Sequence, residues 1–403
     1  MQTQDILGRL DTAYCLDFLS RMVQHKSYSQ TEGERTLAAW MAEQMRGLGL
    51  EVELTPVEAD RVNAIGRLRG SGGGKSLMFN GHIDTNPVTE GWTVDPWGGK
   101  VDDKFIYGIG VSNMKSGDAA YFCAVKTLVD AGVKLRGDVL LTYVVGELQG
   151  GVGTVAMVKQ GYRADYFVNS EPTDLQALSM HAAAFVFQIE LVGDTRHLSK
   201  REEAVDAIVA ACDLVPRLNA LKFSGAKSPE HEKINRVHVG VMHGALGKEL
   251  HEWRPPQVAD YVKIKGSGRY APGQTEEGAL ADLRVELDAL ERHHPGLKAT
   301  VSIETATGRV TMPSFEVAPD NPIVKAINAA YQQVRGEKQP TGAITPPGFY
   351  GTDAAHLYRM AGMPGIVCGP GGRYNTMPDE RVDIVDYLDM VRIYILTILQ
   401  ICS

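Results

Sequence analysis

The sequence predicts an α/β protein into which a smaller α+β domain of ferredoxin-like order is inserted, and three observations carry that expectation. Short apolar strands that stop at ionisable residues, SLMFNGHID from Ser76, VLLTYVVGE from Val139 and YFVNSEP from Tyr166, alternate with stretches of helical period. From about Ala182 the order becomes strand, helix, strand, strand, helix, strand, which is that of a ferredoxin-like domain. Beyond residue 307 the alternation of helix and buried strand resumes. The expected division is 1–180 as the first part of the main domain, 181–306 as the insert and 307–403 as the second part.

A chain of 403 residues with 44% hydrophobic content can bury a large core and is long enough for two or three domains. Its net charge of -8, with no basic run, excludes nucleic acid and an anionic membrane surface as main partners. The first residues, MQTQDILGRLD, lack the apolar core of a secretory signal, and no apolar run approaches the length of a membrane span. Cys15, Cys123, Cys212, Cys368 and Cys402 are odd in number, scattered, and free of CxxC spacing. That usage suits a reducing cytoplasm and argues against a thiolate zinc site.

Residues 11–22 and 31–48 place apolar side chains three and four apart, so two helices open the chain, the second with Thr31 and Glu34 spaced as a capping box. Residues 50–55 and 64–68 alternate as strands, and the glycine run at 70–74 is a loop before the SLMFNG strand. WTVDPWGG at 92–99 cannot be helical, and its two tryptophans need burial or a ligand, which predicts a loop packed over a site. FIYGIGVSNMKSG at 105–117 puts irregular, glycine-rich backbone just before an apolar helix over 118–131, a place that favours anions and close ligand approach. A buried strand at 139–145 then leads through another glycine-rich turn into a helix, and 166–169 is the next strand. In the insert, strands are expected at 185–192, 237–242, 261–265 and 300–304, with helices at 202–218 and 275–293. Helices at 321–334, 353–361 and 385–401, with a strand at 365–368, close the chain.

Three strands of one sheet thus present His82 with Asp84, Glu147, and Glu171 at their carboxyl ends, where open α/β sheets bind ligands. His82 and Asp84 lie two apart on an extended chain and point the same way. The pair reads as a carboxylate that polarises an imidazole, as a metal ligand with its supporting carboxylate, or as a metal ligand beside a base. The plain alternative is a capped strand end with a hydrogen-bonded histidine.

The segments GHID, IYGIGVSNMK, GELQGGVGT, SEPT, RYAPG, YGTDAA and GPGGRYNTMPDERV fall in the order and spacing of a metallohydrolase family, which the chain resembles over nearly its whole length. That family includes acetylornithine deacetylase, succinyl-diaminopimelate desuccinylase, aminoacylases and glutamate-releasing carboxypeptidases. The resemblance implies a zinc-peptidase-like catalytic domain, an inserted ferredoxin-like lid that commonly dimerises, and hydrolysis of amide bonds by a carboxylate-bridged pair of zinc ions. On that basis His82 matches the first-metal histidine, Asp84 the aspartate that orients it, Glu147 the general base and Glu171 the first-metal carboxylate. His197 matches a histidine that stabilises the oxyanion across a dimer, and Arg269 an arginine that holds a substrate carboxylate. Thr352 and Gly371 stand in segments that offer backbone amides to substrate, though glycines there also serve as plain turns.

The sequence departs from the family at Asn113, where the bridging aspartate is expected, at Leu148 and Asn375, where the second metal has its glutamate and histidine, and at Ile109, commonly an arginine. Leucine offers a cation nothing and an asparagine carbonyl is a weak, uncharged ligand. A two-zinc centre is therefore not expected. The cofactor is either absent or a single weakly bound zinc on His82 and Glu171, with Asn113 and Asn375 left to meet substrate. The expected protein is a hydrolase of an amide-type C–N bond in a small carboxylate-bearing molecule, forming a homodimer through the insert. The alternatives are a non-hydrolytic acid-base enzyme on the same fold, such as a lyase, isomerase or acyl transferase, and a silent binding homologue.

Overall fold

The structure, a computed structural model, describes residues 3–58, 60–252, 254–304 and 312–403. It divides into two compact units, one of Met1–Met180, Phe315–Pro347 and Thr352–Ser403 and one of His181–Ser314 and Gly348–Gly351.

Among the described residues the first unit is built on an eight-stranded mixed sheet. Its order is Glu51–Glu58, Arg61–Leu68, Val139–Val144, Leu77–His82, Tyr166–Asn169, Gly365–Val367, Ala177–Leu178 and Thr341–Gly342. The central strand Leu77–His82 runs parallel to both neighbours, so the carboxyl ends of three strands share one edge. Every residue of Leu77–His82 and Val139–Val144 is buried, which explains why these strands read as continuous apolar runs instead of alternating. The closing helix Ile384–Cys402 packs on Ser116–Asp130 and Pro322–Arg335. Phe18 stacks on Phe122 at 4.3 Å between ring centres, and Phe79 meets Tyr121 and Tyr394, so aromatic contacts fill this core.

The expected capping box does not form. Thr31 Oγ1 donates instead to the Tyr28 carbonyl at 2.7 Å, and the buried Glu34 takes both Nε and Nη2 of Arg61, each at 2.7 Å. A two-pronged ionic pair in a buried place outcompetes one neutral backbone N–H for that carboxylate.

The second unit is a four-stranded antiparallel sheet in the order Arg236–Ala245, Tyr261–Tyr270, Ala183–Val192 and Lys298–Ile303, with helices Ala207–Ala220 and Glu276–His293. Phe185, Phe187, Ile189 and Leu191 alternate into its core against Leu214, Leu283 and Leu287. The first of these helices begins at Ala207 and not at 202, because Asp206 accepts from the backbone of Ile208 and Val209 and fixes the start there. Residues Leu198–Glu203 form short 3-10 turns separated by a kink at Lys200.

Candidate active site

The shared strand edge gathers the ionisable residues that the sequence places at strand ends. Gly146, at φ +75, turns the chain after Val139–Val144, and the ligand atoms of His82, Glu147 and Glu171 lie within 4.8 Å of one another. His82 Nδ1 lies 2.9 Å from the Asp84 carbonyl and 3.5 Å from its carboxylate. A carbonyl only accepts, so Nδ1 carries a proton. On the other side Nε2 faces Asn113 Oδ1 at 3.2 Å and Glu171 Oε1 at 3.7 Å. In the imidazolium it donates there, and in the neutral ring it is the open lone pair.

Asp84 is held from every side. Its carboxylate accepts from the backbone N–H groups of Gly146 at 2.9 Å, Glu147 at 3.2 Å and Leu148 at 3.4 Å, and from Ser29 Oγ at 2.9 Å. Burial works against its charge, but the hydrogen bonds from His82, Ser29 and the Glu147 backbone outweigh it and hold its pKa below the ordinary value. Ser29 Oγ in turn accepts from Gln149 Nε2 at 2.6 Å, and Gln149 Oε1 accepts from Arg61 at 3.0 Å. A chain of partners therefore runs from Glu34 through Arg61, Gln149 and Ser29 to Asp84.

The remaining groups compete for protons. Burial, then the nearby Glu171 carboxylate, pushes Glu147 well above the ordinary range. Burial pushes Glu171 up to about 7, with His82 opposing and Asp353 and Asp84 adding. His82 is raised well above its ordinary value, because the carboxylates of Glu171, Asp84 and Glu147 outweigh the burial that disfavours its charge. Asp353 also faces this group: it is buried, accepts from Thr154 Oγ1 at 2.8 Å, and has its Oδ1 without a partner among the described residues.

These donors fit one cation and not two. One imidazole and two carboxylates converge, donors of the types that zinc takes, three in number if Glu147 binds and two if Glu147 serves as a base. At the second position Leu148 supplies only the backbone N–H that Asp84 uses, and Asn375 Oδ1 is occupied by Ser112 Oγ. Asn113 is neutral where a bridging anion is needed to hold two cations together.

The other residues singled out by sequence fall in different places. Thr352 Oγ1 accepts the Ala354 N–H at 3.2 Å at the start of Ala354–Ala361. Gly371, at φ +76, brings its backbone so close to Ser112 that a side chain would meet Ser112 Oγ at 2.6 Å. His197 and Arg269 belong to the second unit. His197 is exposed, and its Nδ1 accepts from the Ser199 N–H at 3.2 Å. Arg269 donates to the Phe349 carbonyl at 3.0 Å and to Ser267 Oγ at 2.6 Å, and burial lowers its pKa. Trp97 in the WTVDPWGG loop packs edge-on against Tyr28 and lies 5.3 Å from Lys115 Nζ, while Trp92 lines a cavity beside Asn113.

Sequence reasoning missed Asp353, Ser29, Gln149 and Arg61, and also Glu380. The Glu380 carboxylate accepts the backbone N–H groups of Ser112 at 2.8 Å and Asn113 at 3.0 Å, and so shapes the loop that carries Asn113. The DE pair at 379–380 gave the only signal, and it reads as surface charge.

Residues 78–400 match the family model described as Peptidase family M20/M25/M40. N-formyl-4-amino-5-aminomethyl-2-methylpyrimidine deformylase of Bacillus subtilis is 26% identical over 402 residues, covering 93% of this chain and 90% of the relative. Acetylornithine deacetylase of Aliivibrio salmonicida is 25% identical over 376 residues, covering 90% of this chain and 92% of the relative. Among solved structures, aminopeptidase PepT of Bacillus cereus superposes with a TM-score of 0.77 at 18% identity, covering 98% of this chain and 99% of that one. The YXEP protein of Bacillus subtilis, described as a dinuclear metal-binding peptidase, does so at 0.68 with 15% identity, covering 97% and 99%.

Proposed function

The chain belongs to peptidase family M20/M25/M40, and from that premise we propose that it hydrolyses an amide-type C–N bond in a small carboxylate-bearing molecule, with one metal ion or none. The observation that carries this reading is the convergence of His82, Glu147 and Glu171 to within 4.8 Å beside a second position whose Leu148, Asn113 and Asn375 offer no anionic or imidazole ligand. Relatives named as a deformylase and a deacetylase support the reaction class.

In this reading Glu147 takes the proton from the attacking water and returns it to the leaving amine, and its raised pKa suits both halves of that exchange. Asp84 fixes the ring of His82 through Nδ1 and leaves Nε2 aimed at the reacting region. A cation held by His82 and Glu171 would supply positive charge that keeps the carboxylates ionised and polarises the substrate carbonyl. Arg269, whose buried guanidinium donates only to neutral groups among the described residues, the Phe349 and Gly268 carbonyls and Ser267 Oγ, is suited to a substrate carboxylate. His197 would stabilise the oxyanion from the second unit of a partner copy. The free cysteines, four of them buried and none paired, agree with a cytoplasmic setting.

The direct test is Glu147→Gln, which keeps the shape and removes the titrating oxygen. Turnover of an identified amide substrate should fall by about a hundredfold or more while its binding survives. Near-normal turnover would move the proton-transfer role to His82 and Asp84.

A further inference from the structure

Beside the proton-sharing cluster lies a cavity of about 450 Å³, within the range of small-molecule sites. Its walls include Trp92, Ile109, Met377, Pro87, Asn113 and Glu380, all from the first unit. It adjoins the reacting region at Asn113, which lines it and whose Oδ1 faces His82 Nε2 at 3.2 Å. Two of the positions where the sequence departs from its family, Ile109 and Asn113, are wall residues, and a third, Asn375, adjoins the wall residue Thr376. Each is uncharged.

Glu380 is the charged residue of this wall, and its Oε1 accepts from the backbone of Ser112 and Asn113. Any charge it retains disfavours an anion in the cavity. The indole N–H of Trp92 is buried without a hydrogen-bond partner among the described residues, and an indole N–H can only donate. Indole, isoleucine, methionine and proline offer flat and adaptable apolar area to a ring.

We infer that this cavity is the specificity pocket of the site and takes an uncharged aromatic or heteroaromatic ring attached to the scissile amide, the carboxylate of the proposed substrate lying outside it. The inference rests on the hydrolase reading but is tested by binding, so the two can fail separately. N-benzylformamide and its para-carboxylate analogue have the same length and ring and differ in charge. Calorimetric titration of the full chain should give a Kd at least tenfold lower for N-benzylformamide. Met377, 41% exposed on the rim, can be changed to arginine without disturbing the core. Met377→Arg should weaken the neutral ligand, strengthen the carboxylate and so invert the preference. Equal or tighter binding of the carboxylate by the unaltered protein would overturn the inference, as would an unchanged ratio in Met377→Arg. Selective binding without cleavage would leave the pocket standing and sink the hydrolase reading. Cleavage of aliphatic formamides with no binding of either ring compound would do the reverse.

Discussion

Lys115 is a fully buried lysine whose Nζ donates to the His25 carbonyl at 2.9 Å, and burial pushes its pKa down from 10.5 to about 7 despite the nearby Asp118 and Glu380. Between those two values the unfolded chain binds a proton that the folded chain has released, so stability must rise with pH across that window. The contribution approaches about 1.4 kcal/mol per pH unit where only the unfolded lysine is charged. Chemical denaturation from pH 7 to 10 should show this rising limb, and Lys115→Met should flatten it. Below pH 7 the opposite limb is shared by Glu380 and Glu171, which burial pushes up to about 7 and whose contributions to stability therefore fall as pH rises toward that value, with the raised Glu147 acting in the same direction. At this scale the strand-end residues were legible, because an apolar run that stops at His82 or Glu147 marks a side chain delivered to a sheet edge. Ser29, Asp353 and Glu380 were not, since each arrives from a distant part of the chain and looks locally like a turn or surface residue.

Helix Glu32–Gly47 and strand Arg61–Leu68 are tied by the Glu34–Arg61 pair, in which the Glu34 side chain is wholly buried and that of Arg61 is 11% exposed. The pair also begins the chain of hydrogen bonds that ends on Asp84. Arg61→Met would leave a buried carboxylate without its cation and should cost about 3–5 kcal/mol, read as a drop in the denaturation midpoint. Glu34→Gln combined with Arg61→Met should recover much of that loss, since no uncompensated charge then remains. Periodicity located the helix correctly but gave Glu34 the role of a cap, because the competing guanidinium lies 27 residues away in the chain. The same limit explains the second unit's first helix, where apolar spacing ran on past the Asp206 cap that defines its start.

For the whole molecule, the strand order of the second unit leaves Arg236–Ala245 at one edge, with Val241 and Met242 more than two-fifths exposed. An edge of that length presents unpaired backbone groups for a second copy of the chain. Sedimentation at micromolar concentration should show a homodimer, and Val241→Lys with Met242→Lys should shift it to monomer with loss of turnover. A fully active monomer would contradict the part assigned to His197. The two-part α/β architecture and its insert were readable because strand ends, glycine turns and the strand-helix order recur at domain scale. The expected metal state rests on Asn113, Leu148 and Asn375, which stand where the family carries metal ligands. The central claim is that this family member works with one cation at most, and elemental analysis of the purified protein after mild desalting tests it most directly. The expected result is no more than one transition metal per chain, lost in His82→Ala, with occupancy rising only when Asn113→Asp, Leu148→Glu and Asn375→His are combined. Two zinc ions per chain in the unaltered protein would contradict it.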